Sequence, residues 1–323
     1  MYLSQLKSGG VIWREGEQAR LIRGVSSSYE LALLAIGQGL SLADTVARLG
    51  FGESVDLPAL AADGRLDCPV RHPDPAHMFL TGTGLTHLGS ASARDAMHSA
   101  GDMEGVTDSM KMFRMGLEGG KPGPGESGVQ PEWFYKGTGV AAVAPGDALV
   151  SPEFALDGSE EPEIAGVYLI GADGTPFRIG FALANEFSDH VTERINYLYL
   201  AHSKLRPASF GPELLVGELP QDIRGSSRIL RNGEAIWQKP FLSGEENMSH
   251  TLANLEYHHF KYALFREPGD LHVHMFGTAT LSFADGVRVE PGDILEIDAP
   301  QLGLALRNPV ARESVHNLEV TPL

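Results

Sequence analysis

EPEIAGVYLIGADGTPFRIGFALANE, residues 161–186, consists of two apolar runs around a short polar interruption. Asp173-Gly174 is a strong turn pair, so the runs read as the two strands of an antiparallel hairpin. The first run is apolar enough to be buried. Glu161 and Glu163 open it two residues apart, and alternate residues of a strand share one face. Two carboxylates at the mouth of a buried strand repel each other unless a cation lies between them. Hard oxygen ligands of this kind suit Mg²⁺, with Mn²⁺ as the alternative. Taken alone, the pair reads more readily as a solvated acidic turn, because it continues the acidic run that follows Asp157-Gly158. Glu186 closes the second run. A hairpin paired in this way returns Glu186 to the end that carries Glu161 and Glu163. Three carboxylates then form a face for a divalent ion, with coordination positions left for water or substrate.

The rest of the chain fits a strand-and-turn frame around this hairpin. Among 323 residues there are 38 glycines and 20 prolines, which argues against long uninterrupted helices. Pro-Gly-Asp occurs at 145–147, 268–270 and 291–293, each time before an apolar alternating run, as expected for turns that lead into strands. Residues 1–75 read as a small N-terminal α/β domain. It has strands at 11–13 and 19–25 and helices at 29–36 and 41–49, the second with Ser41 as N-cap and Gly50 as C-cap. Residues 76–323 read as a β-rich catalytic domain. Its segment 78–100 starts as a strand and turns helical near Ser90, and residues 249–264 form a late helix. The stretch 101–130, rich in glycine, methionine and charge, reads as a mobile flap. Gly123, Gly125 and Gly128 match a dinucleotide-binding glycine pattern by letter only, since no strand precedes them.

The net charge of −17 disfavours nucleic acid and anionic membrane surfaces. A small anionic substrate would need a local cation inside this negative envelope. The single cysteine, Cys68, rules out a disulfide within the chain and fits a reducing cytoplasm. No secretory signal is visible, and no apolar run reaches the roughly 20 residues needed to cross a bilayer.

Beyond Glu186 lies Lys204, read either as a surface lysine or as a cation placed to meet a substrate oxyanion or move a proton. Glu161-Pro162-Glu163, then Asn185-Glu186-Phe187-Ser188, then Lys204 with Gly211-Pro212, form an ordered series. Gly277-Thr278, Pro291-Gly292-Asp293 and Arg307-Asn308 continue it. In this order the motifs resemble the fumarylacetoacetate-hydrolase superfamily over about residues 78–310. The resemblance implies an α+β, β-rich fold with a mixed β-roll or barrel catalytic domain. Pro131-Glu132-Trp133-Phe134-Tyr135-Lys136 and Asn196-Tyr197-Leu198-Tyr199-Leu200 with Ser203-Lys204 are more narrowly similar to its 2-keto-3-deoxy sugar-acid dehydratases. Those enzymes convert a 2-keto-3-deoxypentonate to 2,5-dioxopentanoate.

Carried over, the resemblance implies Mg²⁺ on Glu161, Glu163 and Glu186, with Lys204 and Glu132 flanking the reacting carbons. Ser90 and Thr278 would bind the polar groups of a small 2-oxo acid, and the assembly would be a homodimer. Two departures stand out. Glu186 takes a position where aspartate is usual, and Ser90 takes the position of the histidine that activates water in the hydrolases. The second departure favours dehydration. Hydrolysis of an acylpyruvate stays as the runner-up because His87 is close in sequence, and a catalytically silent sugar-acid binding protein is the reading from another class.

His272 and His274 alternate on one strand face as a conceivable zinc pair, but no third ligand stands at ligand spacing. His258 and His259 are adjacent on a helix and point apart, so one should be packed and one exposed. Lys136 reads equally as an anion contact or a surface lysine. No Gly-x-Ser-x-Gly elbow supports a serine triad.

Overall fold

A computed structural model describes residues 1–89, 107–315 and 318–323. In chain order its strands begin with β1 (Tyr2–Gln5), β2 (Val11–Glu15), β3 (Gln18–Ile22), β4 (Phe51–Ser54), β5 (Met78–Gly84) and β6 (Glu132–Thr138). There follow β7 (Ala142–Val143), β8 (Leu149–Ser151), β9 (Pro162–Ile170), β10 (Pro176–Asn185), β11 (Ala208–Phe210) and β12 (Leu214–Leu215). The last are β13 (Ile223–Arg231), β14 (Glu234–Ser243), β15 (Leu271–Met275), β16 (Ile294–Asp298) and β17 (Leu306–Arg312).

The hairpin of residues 161–186 forms β9 and β10. Its turn is closed by Gly171 N donating to Thr175 O at 2.8 Å, with Gly174 at φ +82° and the Asp173 carboxylate accepting from Thr175 N. All nine residues of β9 are buried because the strand lies between β10 and β15 in the larger sheet. Its two faces serve two cores. Ala165, Val167 and Leu169 pack with Val11, Leu31, Leu80, Leu271 and Val273, while Ile164 packs with Phe181, Leu183, Phe276, Ile297 and Leu306.

The larger sheet runs β4-β3-β2-β1-β12-β10-β9-β15-β5-β6, with β11 pairing β10 and β7. A second sheet, β14-β13-β16-β17-β8, packs its apolar side against β9 and β10. The architecture is therefore sheet-rich α+β with two sheets, as the sequence led us to expect. Residues 1–75 share the larger sheet with the rest of the chain, through β1 pairing β12 (Leu3 opposite Leu214). Helices Ser28–Gln38 and Leu42–Leu49 place Leu31, Ala32, Ala35 and Val46 in the buried interior, and Ser41 caps the second of them. The three Pro-Gly-Asp turns lead into β8, β15 and β16, with their glycines at φ +87°, +90° and +94°.

Two stretches gain detail beyond their sequence reading, residues 101–106 of the first lying outside the described ones. Within 101–130, residues Asp108–Gly119 form a helix capped by Thr107, and its glycines pack closely. A Cβ on Gly116 would sit 2.7 Å from His250 Nε2, and one on Gly120 would sit 2.4 Å from Ser249 O. Here the glycines let the helix approach its neighbour. The late helix is Leu252–Phe260, shorter than 249–264, because Ser249 N is taken by Thr86 O at 2.7 Å and Thr251 forms the N-cap. The expected turn into a helix at Ser90 lies outside the described residues. No single helix among the described residues is long and apolar enough to cross a membrane.

Candidate functional site

Five strand ends meet at one edge of the larger sheet. β9 begins there, β10 ends there, β15 and β5 end there in parallel, and β6 begins there antiparallel to β5. The register sets Ala184 opposite Glu163 and Asn185 opposite Pro162, so Glu186 lies beside Glu161, and Glu186 N donates to Glu161 O at 3.0 Å. Glu161, Glu163 and Glu186 are all buried and offer oxygens that lie within 4.8 Å of one another. They line a cavity of about 20 Å³ together with Thr83, Leu85, Phe134, His190, Glu193, Lys204 and Thr278. That is room for a single water or ion. Leu85 holds a left-handed backbone there, at φ +57°.

Two lysines enter this acidic space. Lys204 Nζ donates to Glu161 Oε1, to Glu186 Oε2 at 2.8 Å and to Ser188 Oγ at 3.2 Å, and it lies 4.9 Å from the Phe134 ring centre. Lys136 Nζ donates to Glu186 Oε1 at 2.9 Å and to Phe187 O at 2.8 Å. Of the two readings from sequence, the surface lysine is excluded by burial, and the anion that Lys136 contacts is the carboxylate of a candidate ligand. On β6 the buried positions alternate as Glu132, Phe134 and Lys136, which points them to one face. That alternation was the available signal for Lys136. His190 was also missed. Its Nε2 lies 3.1 Å from Glu161 Oε1 and its Nδ1 2.8 Å from Ser159 Oγ, and its ring stacks on Phe283.

The charges are unequally balanced. Burial raises the Glu161 carboxyl, yet Lys204 and His190 outweigh that and hold it well below the usual carboxylate range. Burial, followed by Glu186 and Glu161, drives the Glu163 carboxyl well above that range. Among the described residues Glu163 accepts one hydrogen bond, from Gly277 N at 2.7 Å. Glu186 is raised by burial and Glu161 against the pull of Lys136 and Lys204. Burial disfavours the Lys204 ammonium, but Glu161 and Glu186 prevail and hold the lysine charged. Burial also opposes the His190 imidazolium, but Asp157 and Glu161 raise it to about 10. Three carboxylates, one without a cationic partner, around a space of ion size form a donor set that fits a hard divalent cation.

The remaining sequence candidates fall in different places. Thr278 lines the cavity and Ser90 lies outside the described residues. Glu132 is buried on the Phe134–Lys136 face of β6, opposite Gly84, and accepts from Tyr197 Oη at 3.0 Å. It does not line the triad's cavity; it borders a neighbouring one of about 470 Å³ with Trp133, Tyr197 and Phe265. His87 is buried with Nε2 on Ser243 Oγ at 2.9 Å and Nδ1 near Thr86 Oγ1, and burial drives it down to about 3. It is not part of the cavity wall.

The histidine pair gains a third member from the late helix. His259 Nε2 lies 3.0 Å from His272 Nδ1, and its ring stacks on His274 at 4.3 Å. Trp133 Nε1 donates to His259 Nδ1, which leaves Nε2 of His259 as the donor to His272. The rings stack and hydrogen-bond in sequence instead of converging on a point. Among the described residues only the glutamate triad forms a metal-type group. His258, adjacent on the helix, is also largely buried and bonds Gly128 O at 2.9 Å, so the expectation that one of this pair is exposed is not met.

No protein-family model matches the sequence, and no curated protein matches it. Solved structures do. 2-Keto-3-deoxy-D-arabinonate dehydratase in its apo form superposes with a TM-score of 0.71 at 20% identity, covering 98% of this chain and 100% of that one. The same dehydratase, complexed with magnesium and 2,5-dioxopentanoate, gives 0.71 at 18% identity over 97% and 99%. A 2-hydroxyhepta-2,4-diene-1,7-dioate isomerase from Mycobacterium marinum gives 0.57 at 18% identity over 98% and 100%. Such identities establish the fold alone, which this chain shares with the dehydratase and the isomerase.

Proposed function

We propose that this protein is a divalent-metal-dependent hydro-lyase that removes water from a 2-keto-3-deoxy sugar acid to give a 2,5-dioxo acid. The reading rests chiefly on the buried convergence of Glu161, Glu163 and Glu186 around a space of ion size, with Lys204 among them. It is supported by the shared fold with a dehydratase whose complex contains magnesium and 2,5-dioxopentanoate. Glu161, Glu163 and Glu186 would hold Mg²⁺ or Mn²⁺. When bound, such an ion supplies Lewis-acid stabilisation of the charge that develops on a 2-oxo oxygen as C3 loses its proton.

The chain's own groups account for the other requirements. Lys204 lies between two carboxylates at the cavity, where its ammonium is placed to meet a substrate anion or to exchange a proton with it. Glu132, which accepts from the Tyr197 hydroxyl and borders the neighbouring cavity, is the other candidate for proton transfer beside Lys204. Thr278 offers a hydroxyl to the substrate's polar groups from the cavity wall. Phe134 and Leu85 form the apolar part of the cavity wall.

The acylpyruvate hydrolase alternative loses its sequence-local base, because His87 is committed to Ser243 and Thr86 away from the cavity. The deciding experiment incubates purified protein and Mg²⁺ with 2-keto-3-deoxypentonates and an acylpyruvate panel. A 2,5-dioxo product supports dehydration. Pyruvate with a free acid would establish C–C hydrolysis. Ligand-induced stabilisation without any product would leave a binding protein.

A further inference from the structure

Taken oxygen by oxygen, the triad is supplied by two lysines of different standing. Glu186 Oε1 accepts from Lys136 Nζ and from Ser188 Oγ, both at 2.9 Å, which uses its lone pairs. Lys136 also has an anchor outside the triad, the Phe187 carbonyl at 2.8 Å. Lys204 sits on Glu186 Oε2 and Glu161 Oε1, and its other hydrogen bond is a longer one to Ser188 Oγ at 3.2 Å. One ammonium is therefore tied to the main chain, while the other is held mainly by candidate ligands.

A divalent ion taking one oxygen from each glutamate would meet the Lys204 ammonium on two of the three. Like charges that share carboxylates in a space too small for intervening water repel strongly. A fourth buried carboxylate, Glu193, lines the same cavity.

We propose that Lys204 is the resident counter-cation of the triad, so that its ammonium and a divalent ion are alternative occupants of Glu161 and Glu186. Loading the metal turns Lys204 off these two carboxylates towards Glu193, where its charge faces the cavity. This rests on the metal reading above. It adds an order of events: the lysine becomes available to a substrate anion only in the metal-loaded protein. Lys136, by contrast, remains on Glu186 in both states.

The test compares wild type, Lys204→Met and Lys136→Met by thermal unfolding in EDTA and in saturating Mg²⁺, with Mg²⁺ affinity measured by calorimetry. In EDTA both variants should melt below wild type, since each leaves buried carboxylates uncompensated. Saturating Mg²⁺ should return Lys204→Met to the wild-type melting temperature and leave Lys136→Met short of it. Lys204→Met should also bind Mg²⁺ at least about ten-fold more tightly than wild type, because no cation has to be displaced. Equal rescue of both variants, no rescue of Lys204→Met, or unchanged or weaker Mg²⁺ affinity in Lys204→Met would overturn the proposal. A wild-type protein that binds neither Mg²⁺ nor Mn²⁺ would instead refute the metal reading itself. If Lys204→Met does not fold without metal, Lys204→Gln purified in Mg²⁺ and then titrated with EDTA should show the same pattern.

Discussion

Replacing His274 with asparagine tests whether the three-histidine cluster is packing or a metal site. His274 is fully buried, its Nδ1 bonds Thr81 Oγ1 at 2.8 Å, its ring stacks on His259, and burial drives it down to about 3. An unfolded histidine titrates near 6.5. The folded value is depressed, so the stability tied to neutral His274 is complete above pH 6.5 and is lost as pH falls towards 3. Each pH unit in that window costs about 1.4 kcal/mol, and from pH 7.5 to pH 5 the loss sums to about 2 kcal/mol.

Asparagine keeps an atom near Nδ1 for Thr81 but has no ring and does not titrate. At pH 7.5 the variant should be less stable by about 1–3 kcal/mol, the cost of a truncated, unstacked core residue. At pH 5 that deficit should have shrunk by about 2 kcal/mol, because only wild type still carries the titration. Urea unfolding followed by tryptophan fluorescence across this pH range measures the difference, and titrating groups distant from the cluster cancel between the two proteins. A deficit constant from pH 7.5 to pH 5 would refute the burial reasoning. A Zn²⁺-induced stabilisation of wild type that disappears in His274→Asn would show that the cluster binds metal after all.

Four further outcomes are expected. EDTA should abolish turnover, whereas borohydride added with substrate should not inactivate; substrate trapped on Lys204 would replace the metal mechanism with a Schiff base. Glu163→Gln should lower kcat/KM at least about 100-fold and weaken metal binding in calorimetry, and full activity would sink the ligand assignment. Gly82→Ala places a Cβ 2.5 Å from the Phe134 ring that underlies Lys204. It should cost about 1–3 kcal/mol in urea unfolding, partly recovered by adding Phe134→Leu. Asp189 caps the helix His190–Ile195, accepts from Leu156 N and pairs with buried Arg206 at 2.8 Å, so Asp189→Asn should destabilise by about 3 kcal/mol in the same assay.

The hairpin and its three acids were legible because strand alternation and one Asp-Gly turn fix where side chains go. Local signals of that kind also gave the Ser41 cap and the turns before β8, β15 and β16. What stayed hidden depends on pairing between distant segments. Nothing local announces that β1 pairs with two-residue β12 and so joins residues 2–54 to the sheet that holds the site. Likewise His259 completes the histidine cluster from a helix 13 residues upstream of His272, a meeting set by tertiary packing. Lys136 was half visible. Its spacing from Glu132 and Phe134 showed the face, but only the fold shows that this face looks onto Glu186. The close approach of Gly116 and Gly120 to Ser249 and His250 was likewise hidden, because composition does not show which distant segment a glycine will face.

The bond from Gly277 N to Glu163 differs in kind from every other support of the triad. Glu161 and Glu186 are steered by side chains, namely Lys204, Lys136, His190 and Ser188, each of which a single codon change can alter. The donor to Glu163 is the peptide itself. At position 277 the backbone stands at φ +95° with room for no Cβ, which would fall 2.4 Å from Thr86 Oγ1. Side-chain variation can therefore retune two of the three acids, while the third keeps its orientation for as long as the chain keeps its path. Any drift towards a different ion or a different substrate would have to begin at Glu161 and Glu186, around a carboxylate that the main chain holds still.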